Sequence, residues 1–151
     1  MKILLAYQPT AEGRKALEAA RENARLRGGS LVLARHVKLT AETGVPDVGS
    51  SATAPKESRS GQDVAKLQQD LESVAQDLRA SGIEAQPLLL TEGNDPAKAF
   101  LELADQQGVE LIVIGLRRRS PVGKFVLGSV SQDILLHADC PVLAVKGDEE
   151  R

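Results

Sequence analysis

Apolar residues recur along this chain in two alternating spacings. Short, nearly continuous apolar runs stand at residues 2–7 (KILLAY), 30–37 (SLVLARHV), 86–90 (QPLLL), 109–115 (VELIVIG) and 141–146 (PVLAVK), and their length and branched side chains predict five strands. The stretches between them carry helical spacing. Thr10 can cap a helix with Leu17, Ala20 and Ala24 on one face, stopped by Gly28 and Gly29 after Arg25 and Arg27. Val64, Leu67, Leu71, Val74 and Leu78 recur at three- and four-residue steps before Gly82 and predict a second helix. Asp95 and Pro96 form a cap and a first-turn proline for a third, whose buried stripe is Phe100, Leu101 and Ala104 and whose end is Gly108. A fourth starts at Gly128 and Ser129 and runs to about Ala138. Residues 39–62, rich in Ser, Gly, Pro and Thr with little to bury, are expected to be a long mobile loop.

Strands that alternate with helices and are apolar along most of their length are the pattern of a parallel sheet covered on both faces. The fold class expected is α/β: one doubly wound, five-stranded parallel sheet with strand order 3-2-1-4-5. Right-handed crossovers place the ligand crevice of such a sheet beyond the carboxyl ends of the strands where the order reverses, here between strands 1 and 4. The residues leaving those strands are Tyr7, Gln8, Pro9 and Thr10 on one side and Gly115, Leu116, Arg117 and Arg118 on the other, and Val37 leaves the neighbouring strand 2.

Composition narrows the classes of ligand. At 151 residues the chain has the size of a single domain, residues 1–151, with one core. A formal net charge of −2 supplies no global pull toward nucleic acid or an anionic membrane, so a polyanion must be held locally. With Tyr7, Phe100 and Phe125 as the aromatic residues, a platform for stacking single-stranded bases is poorly supplied, and nucleic acid is not an expected partner. The opening apolar run is too short for a signal-peptide core or a membrane span, so no membrane association is expected. A single cysteine, Cys140, allows no internal disulfide, and a cytoplasmic setting is the expectation. Before Pro141 and an apolar strand, that thiol is expected to be a buried small hydrophobe.

The chemistry concentrates in residues 115–131 (GLRRRSPVGKFVLGSVS), a glycine-bearing loop delivered from a strand into a helix. A helix start offers unpaired N–H groups and roughly half a unit of positive charge, and glycine admits a phosphate close to the backbone. Ser129 and Ser131 can add hydroxyl donors. Arg117, Arg118 and Arg119, with Lys124 nearby, form either a bidentate phosphate clamp or a solvated, partner-facing patch, and Arg118 is the residue singled out for phosphate. Other constellations fail. The P-loop pattern is broken at Arg118 and at Phe125. Ser129, Asp133 and His137 share a helix face, but eight residues separate the first from the last by about 12 Å. His36 and His137 lack metal-ligand spacing, and no GxGxxG follows the first strand.

The fourth strand followed by G-x2-G-x9-G-[ST], with Gly115, Gly128 and Ser129 at the first, third and fourth marked positions, resembles the ATP-binding signature of universal stress proteins. HADCPVLAVK near the end, Gly93-Asn-Asp-Pro96, and the opening KILLAYQPTAEGRKAL are similar to that family as well, so the resemblance spans nearly the whole chain outside 39–62. Two positions depart from it: the second marked glycine is Arg118, and the acidic residue often found after strand 1 is Gln8. The resemblance implies a Rossmann-like, adenine nucleotide alpha hydrolase-like sheet that dimerises, and a stress-response regulator that binds ATP or AMP without efficient hydrolysis. Mg²⁺ is an option with ATP. On this reading phosphates meet the amides of Gly128, Ser129, Val130 and Ser131, with Arg117 and Arg118 nearby. Adenine lies between Gln8 and Val37, close to Ala6 and Tyr7. Pairing of two copies along strand 141–146 is expected to remove an exposed sheet edge. The alternative is a member that has lost the nucleotide and serves as a dimeric interaction module.

Overall fold

A computed structural model describes residues 1–38, 61–117 and 127–147, without the side chains of residues 61 and 62. Its elements in chain order are β1 (Lys2–Ala6), α1 (Ala11–Arg27), β2 (Ser30–His36), α2 (Gly61–Ala80), β3 (Ala85–Leu90), α3 (Pro96–Gln107), β4 (Leu111–Leu116), α4 (Ser129–His137) and β5 (Val142–Lys146). The strands form one sheet in the order β3-β2-β1-β4-β5, and every neighbouring pair is parallel. Leu4 of β1 stands opposite Val32 on one side and Ile112 on the other. The expected strand order therefore holds, and each strand lies within two residues of its sequence-based bounds.

Alternation along the strands sorts the core into two layers. Ile3, Leu5, Leu31, Leu33 and Val113 face α1 and α2, where Ala16, Ala20, Ala24, Leu71, Ala75 and Leu78 close over them. Leu4, Val32, Ala34, Ile112 and Ile114 face the other way, under Ala97, Phe100, Leu103 and Ala104 of α3 and Ile134 of α4. Both faces of the central strands are thus dry, which is why they read as unbroken apolar runs. Each fully buried Leu or Ile contributes about 1.5–3 kcal/mol.

The helix ends follow their chemistry. The Gly13 N–H donates to the Thr10 hydroxyl at 3.1 Å and the Lys98 N–H donates to the Asp95 carboxylate at 3.2 Å. Gly28 and Gly108 close α1 and α3 with left-handed backbone at φ 63° and 65°, a conformation that costs glycine nothing.

Four expectations need correction. On α1 the buried stripe is Gly13, Ala16, Ala20 and Ala24, and Leu17 packs at its margin, because small side chains bring the helix close to the sheet. On α3 the stripe passes through Leu103, and Leu101 stands at its edge. Gly61 and Gln62, assigned to the loop, begin α2, whose first turn also holds Asp63; an acidic residue there favours a helix start that lies beyond the apolar stripe. The rest of 39–62 lies outside the described residues, as do Arg118, Arg119, Lys124, Phe125 and the tail from Asp148. Cys140 is half-buried, since it leads into the strand that ends the described sheet. Desolvation pushes its thiol above the usual range, which keeps it protonated at neutral pH. No helix among the described residues is long and apolar enough to cross a membrane.

Candidate functional site

Beyond the carboxyl ends of β1 and β4 lies a cleft of about 540 Å³, in the place where the strand order reverses. Its floor continues the face of the sheet that packs on α3 and α4. Ala6 follows Leu4 by two residues, Ile114 follows Ile112, and His36 follows Ala34, and all three line the cleft. One wall comes from Pro96 and Phe100 of α3, the other from Val130 and Ile134 of α4. Each wall pair is spaced by four residues, so each is one stripe of one helix. The rim is polar: Tyr7, Gln8 and Thr10 rise from the β1–α1 turn, Glu12 and Gly13 from the first turn of α1, Gly115 and Arg117 from the end of β4, and Leu127 to Ser129, with Ser131, from the approach to α4.

Three helices begin at this cleft, and their starts differ. Thr10 and Asp95 cap α1 and α3 through their side chains. At α4 the capping position is Gly128, and no described side chain supplies a cap. The first bond within that helix runs from the Gln132 N–H to the Gly128 carbonyl at 2.9 Å, so the N–H groups of Ser129, Val130 and Ser131 have no acceptor inside the helix. They carry the partial positive charge of the helix end into the cleft.

The two described glycines of the 115–131 segment do different jobs. A Cβ on Gly115 would lie 2.6 Å from the Glu12 carbonyl oxygen, so this residue lets α1 settle against β4. A Cβ on Gly128 would meet no described atom within 4 Å, and its φ of −68° and ψ of 163° suit any residue. Nothing in the described protein requires a glycine there, whereas close approach of a ligand to the backbone would.

Among the described residues an ion pair stands at the mouth. The Arg117 guanidinium lies 3.6 Å from the Glu12 carboxylate, with side-chain exposures of 58% and 16%. On the opposite side the His36 ring donates from Nε2 to the Glu92 carbonyl at 3.3 Å. His137 donates from Nδ1 to the Asp133 carbonyl at 3.0 Å, which ties the ring to its own helix instead of to Ser129.

Of the thirteen residues expected at the site, Ala6, Tyr7, Gln8, Thr10, Gly115, Arg117, Gly128, Ser129, Val130 and Ser131 meet at the cleft, and Arg118 lies outside the described residues. Pro9 and Val37 do not form part of its lining. Val37 is 4% exposed, and its N–H donates to the Leu90 carbonyl at 2.9 Å. It has the strand parity of Leu33, whereas His36 has that of Ala34 and faces the cleft, so counting alternate residues along β2 would have found the histidine. Glu12, Pro96, Phe100, Leu127 and Ile134 were missed because they enter from helices and a loop, which a list of strand exits does not reach.

The family description of universal stress proteins matches residues 1–146. This chain belongs to the universal stress protein family. A universal stress protein of Mycolicibacterium smegmatis is 35% identical over 144 residues, which covers 95% of this chain and 96% of that one. The structure of a universal stress protein from Archaeoglobus fulgidus matches with a TM-score of 0.72 at 30% identity, covering 97% of this chain and 98% of the other. A universal stress protein from the same organism, solved in complex with dAMP, matches with a TM-score of 0.69 at 26% identity and the same coverage. Gly115 and Arg117 at one described end of the 115–131 segment, and Leu127 to Ser131 at the other, form the β4 and α4 sides of the cleft.

Proposed function

We propose that this universal stress protein is a cytoplasmic stress-response regulator that binds ATP or AMP in the cleft and does not turn it over efficiently. The carrying observation is the α4 start, uncapped by any described side chain on a cleft where α1 and α3 are capped. Phosphate oxygens are the acceptors such a start lacks. The dAMP complex of the Archaeoglobus relative supports an adenine nucleotide as the class of ligand. In this reading the phosphates meet the amides of Ser129, Val130 and Ser131, and the base lies at the β1–β2 side near Ala6, Tyr7, Gln8 and His36. The Gln8 amide can accept from an exocyclic amine and also donate. Arg118, at the second marked glycine of the signature, adds a guanidinium for phosphate. Mg²⁺ would accompany ATP through phosphate oxygens.

Equilibrium dialysis against ATP and AMP tests this reading, with phosphate release measured with and without Mg²⁺. Saturable binding with little release is expected. Failure of both nucleotides to bind would favour the interaction module, for which Gln8 and Arg118 are the sequence grounds. Arg118→Ala should weaken ATP more than adenosine, and tighter ATP binding by Arg118→Gly would make the arginine an obstruction.

The same proposal includes a homodimer along β5. This strand ends the sheet, and Val142, Leu143, Ala144 and Val145 are all incompletely buried, an apolar edge that a twofold copy would cover. Leu143→Asp or Val145→Asp should shift sedimentation from dimer to monomer. A wild type that sediments as a monomer at high micromolar concentration would sink this part alone.

A further inference from the structure

Glu12 is a carboxylate turned into a cleft that is read here as a site for anions. Two glycines fix its place. A Cβ on Gly115 would lie 2.6 Å from the Glu12 carbonyl oxygen, and one on Gly147 would lie 3.1 Å from the Glu12 Cβ. The first turn of α1 thus rests directly on the ends of β4 and β5, and the residue cannot retreat by a shift of the helix without opening that contact. Its side chain is 16% exposed and paired with Arg117 at 3.6 Å, and both residues line the cleft. A carboxylate in the first helical turn favours the dipole wherever it points, so helix stability alone gives no reason for this one to face the cleft.

The pair stands at the β4 side, the side from which the chain continues toward α4, whereas His36 and Tyr7 lie at the β2 and β1 side. On the nucleotide reading, which this inference rests on, phosphates extend toward Glu12 and Arg117. The carboxylate then acts twice against added phosphate: it neutralises the cation that would receive it, and its own charge repels it. Both effects grow with the charge of the ligand and are strongest where the group is shielded from water. We infer that Glu12 is a specificity-determining residue that sets the number of phosphates the cleft accepts, favouring a nucleoside monophosphate over the triphosphate.

Calorimetric titration of wild type and Glu12→Gln with AMP and with ATP, without divalent cation, tests this directly. The variant keeps the side chain's shape and removes its charge. ATP should bind about tenfold more tightly and AMP less than about threefold more tightly, and the gain should shrink as salt is raised. Arg117→Ala should cost little ATP affinity in the wild type and several-fold more in the Glu12→Gln background, because only there is the guanidinium released. Glu22→Gln, on the exposed side of the same helix and paired with Arg25, should leave both affinities unchanged. An equal change for AMP and ATP, no change in either, or weaker ATP binding by Glu12→Gln would overturn the inference while leaving the nucleotide reading intact. A wild type that binds neither nucleotide would overturn both.

Discussion

The starts of α1 and α4 meet the same cleft and are built on opposite terms. At α1 the space is filled by the protein itself: Thr10 caps the Gly13 N–H, Gly13 lies against the Gln8 carbonyl so closely that a Cβ would overlap it, and Gly115 and Gly147 sit against Glu12. At α4 the capping residue is a glycine, no described side chain closes the end, and no described atom approaches where its Cβ would be. The glycines at α1 are there for the fold. The glycine at α4 has no such duty among the described residues, so substitutions at the two ends should separate stability from binding.

The largest effect is expected at the open end. Gly128→Val puts a branched side chain where a phosphate would approach and should weaken ATP and AMP at least about a hundredfold, which is about 2.7 kcal/mol, with little change in melting temperature. Calorimetry and thermal denaturation on one preparation check both halves, and equal ATP affinity in the variant would remove the α4 start as the phosphate site. The closed end should respond the other way. Gly115→Ala forces α1 away from β4 and should cost about 1–3 kcal/mol of stability, read by urea denaturation; a variant as stable as wild type would show that α1 yields without cost. The smallest contrast lies between two hydroxyls. Thr10→Ala should lower stability by about 1 kcal/mol through the lost cap, whereas Ser131→Ala should leave stability within about 0.5 kcal/mol and weaken nucleotide binding a few-fold. A Ser131→Ala protein that loses as much stability as Thr10→Ala would erase the difference between the two helix starts.

Part of this site is legible from local chemistry because it depends on residues close in sequence. Thr10, Asp95, Gly28 and Gly108 mark helix ends through bonds that span a few residues. Handedness and strand order then place the crevice at the exits of β1 and β4, and ten of the expected residues line it. At β2 the reading by strand exits goes astray by parity: Val37 belongs to the face of Leu33 and is buried, and His36 takes its place in the lining.

By itself, then, the sequence determined the alternation of strands and helices, the caps and stops, the parallel sheet and the family, because periodicity, capping chemistry and the handedness of crossovers act locally along the chain. Only the tertiary structure decided which face of β2 meets the cleft, that Pro96 and Phe100 of α3 stand opposite Val130 and Ile134 of α4, and that Glu12 pairs with Arg117 across 105 positions, the difference of their residue numbers. It also decided what each glycine is for. Gly115 and Gly128 are alike as letters in a signature, and their roles part only when α1 packs on β4 and fills the space beside one of them. Such contacts depend on how closely whole elements approach in three dimensions, and no spacing along the chain encodes that distance.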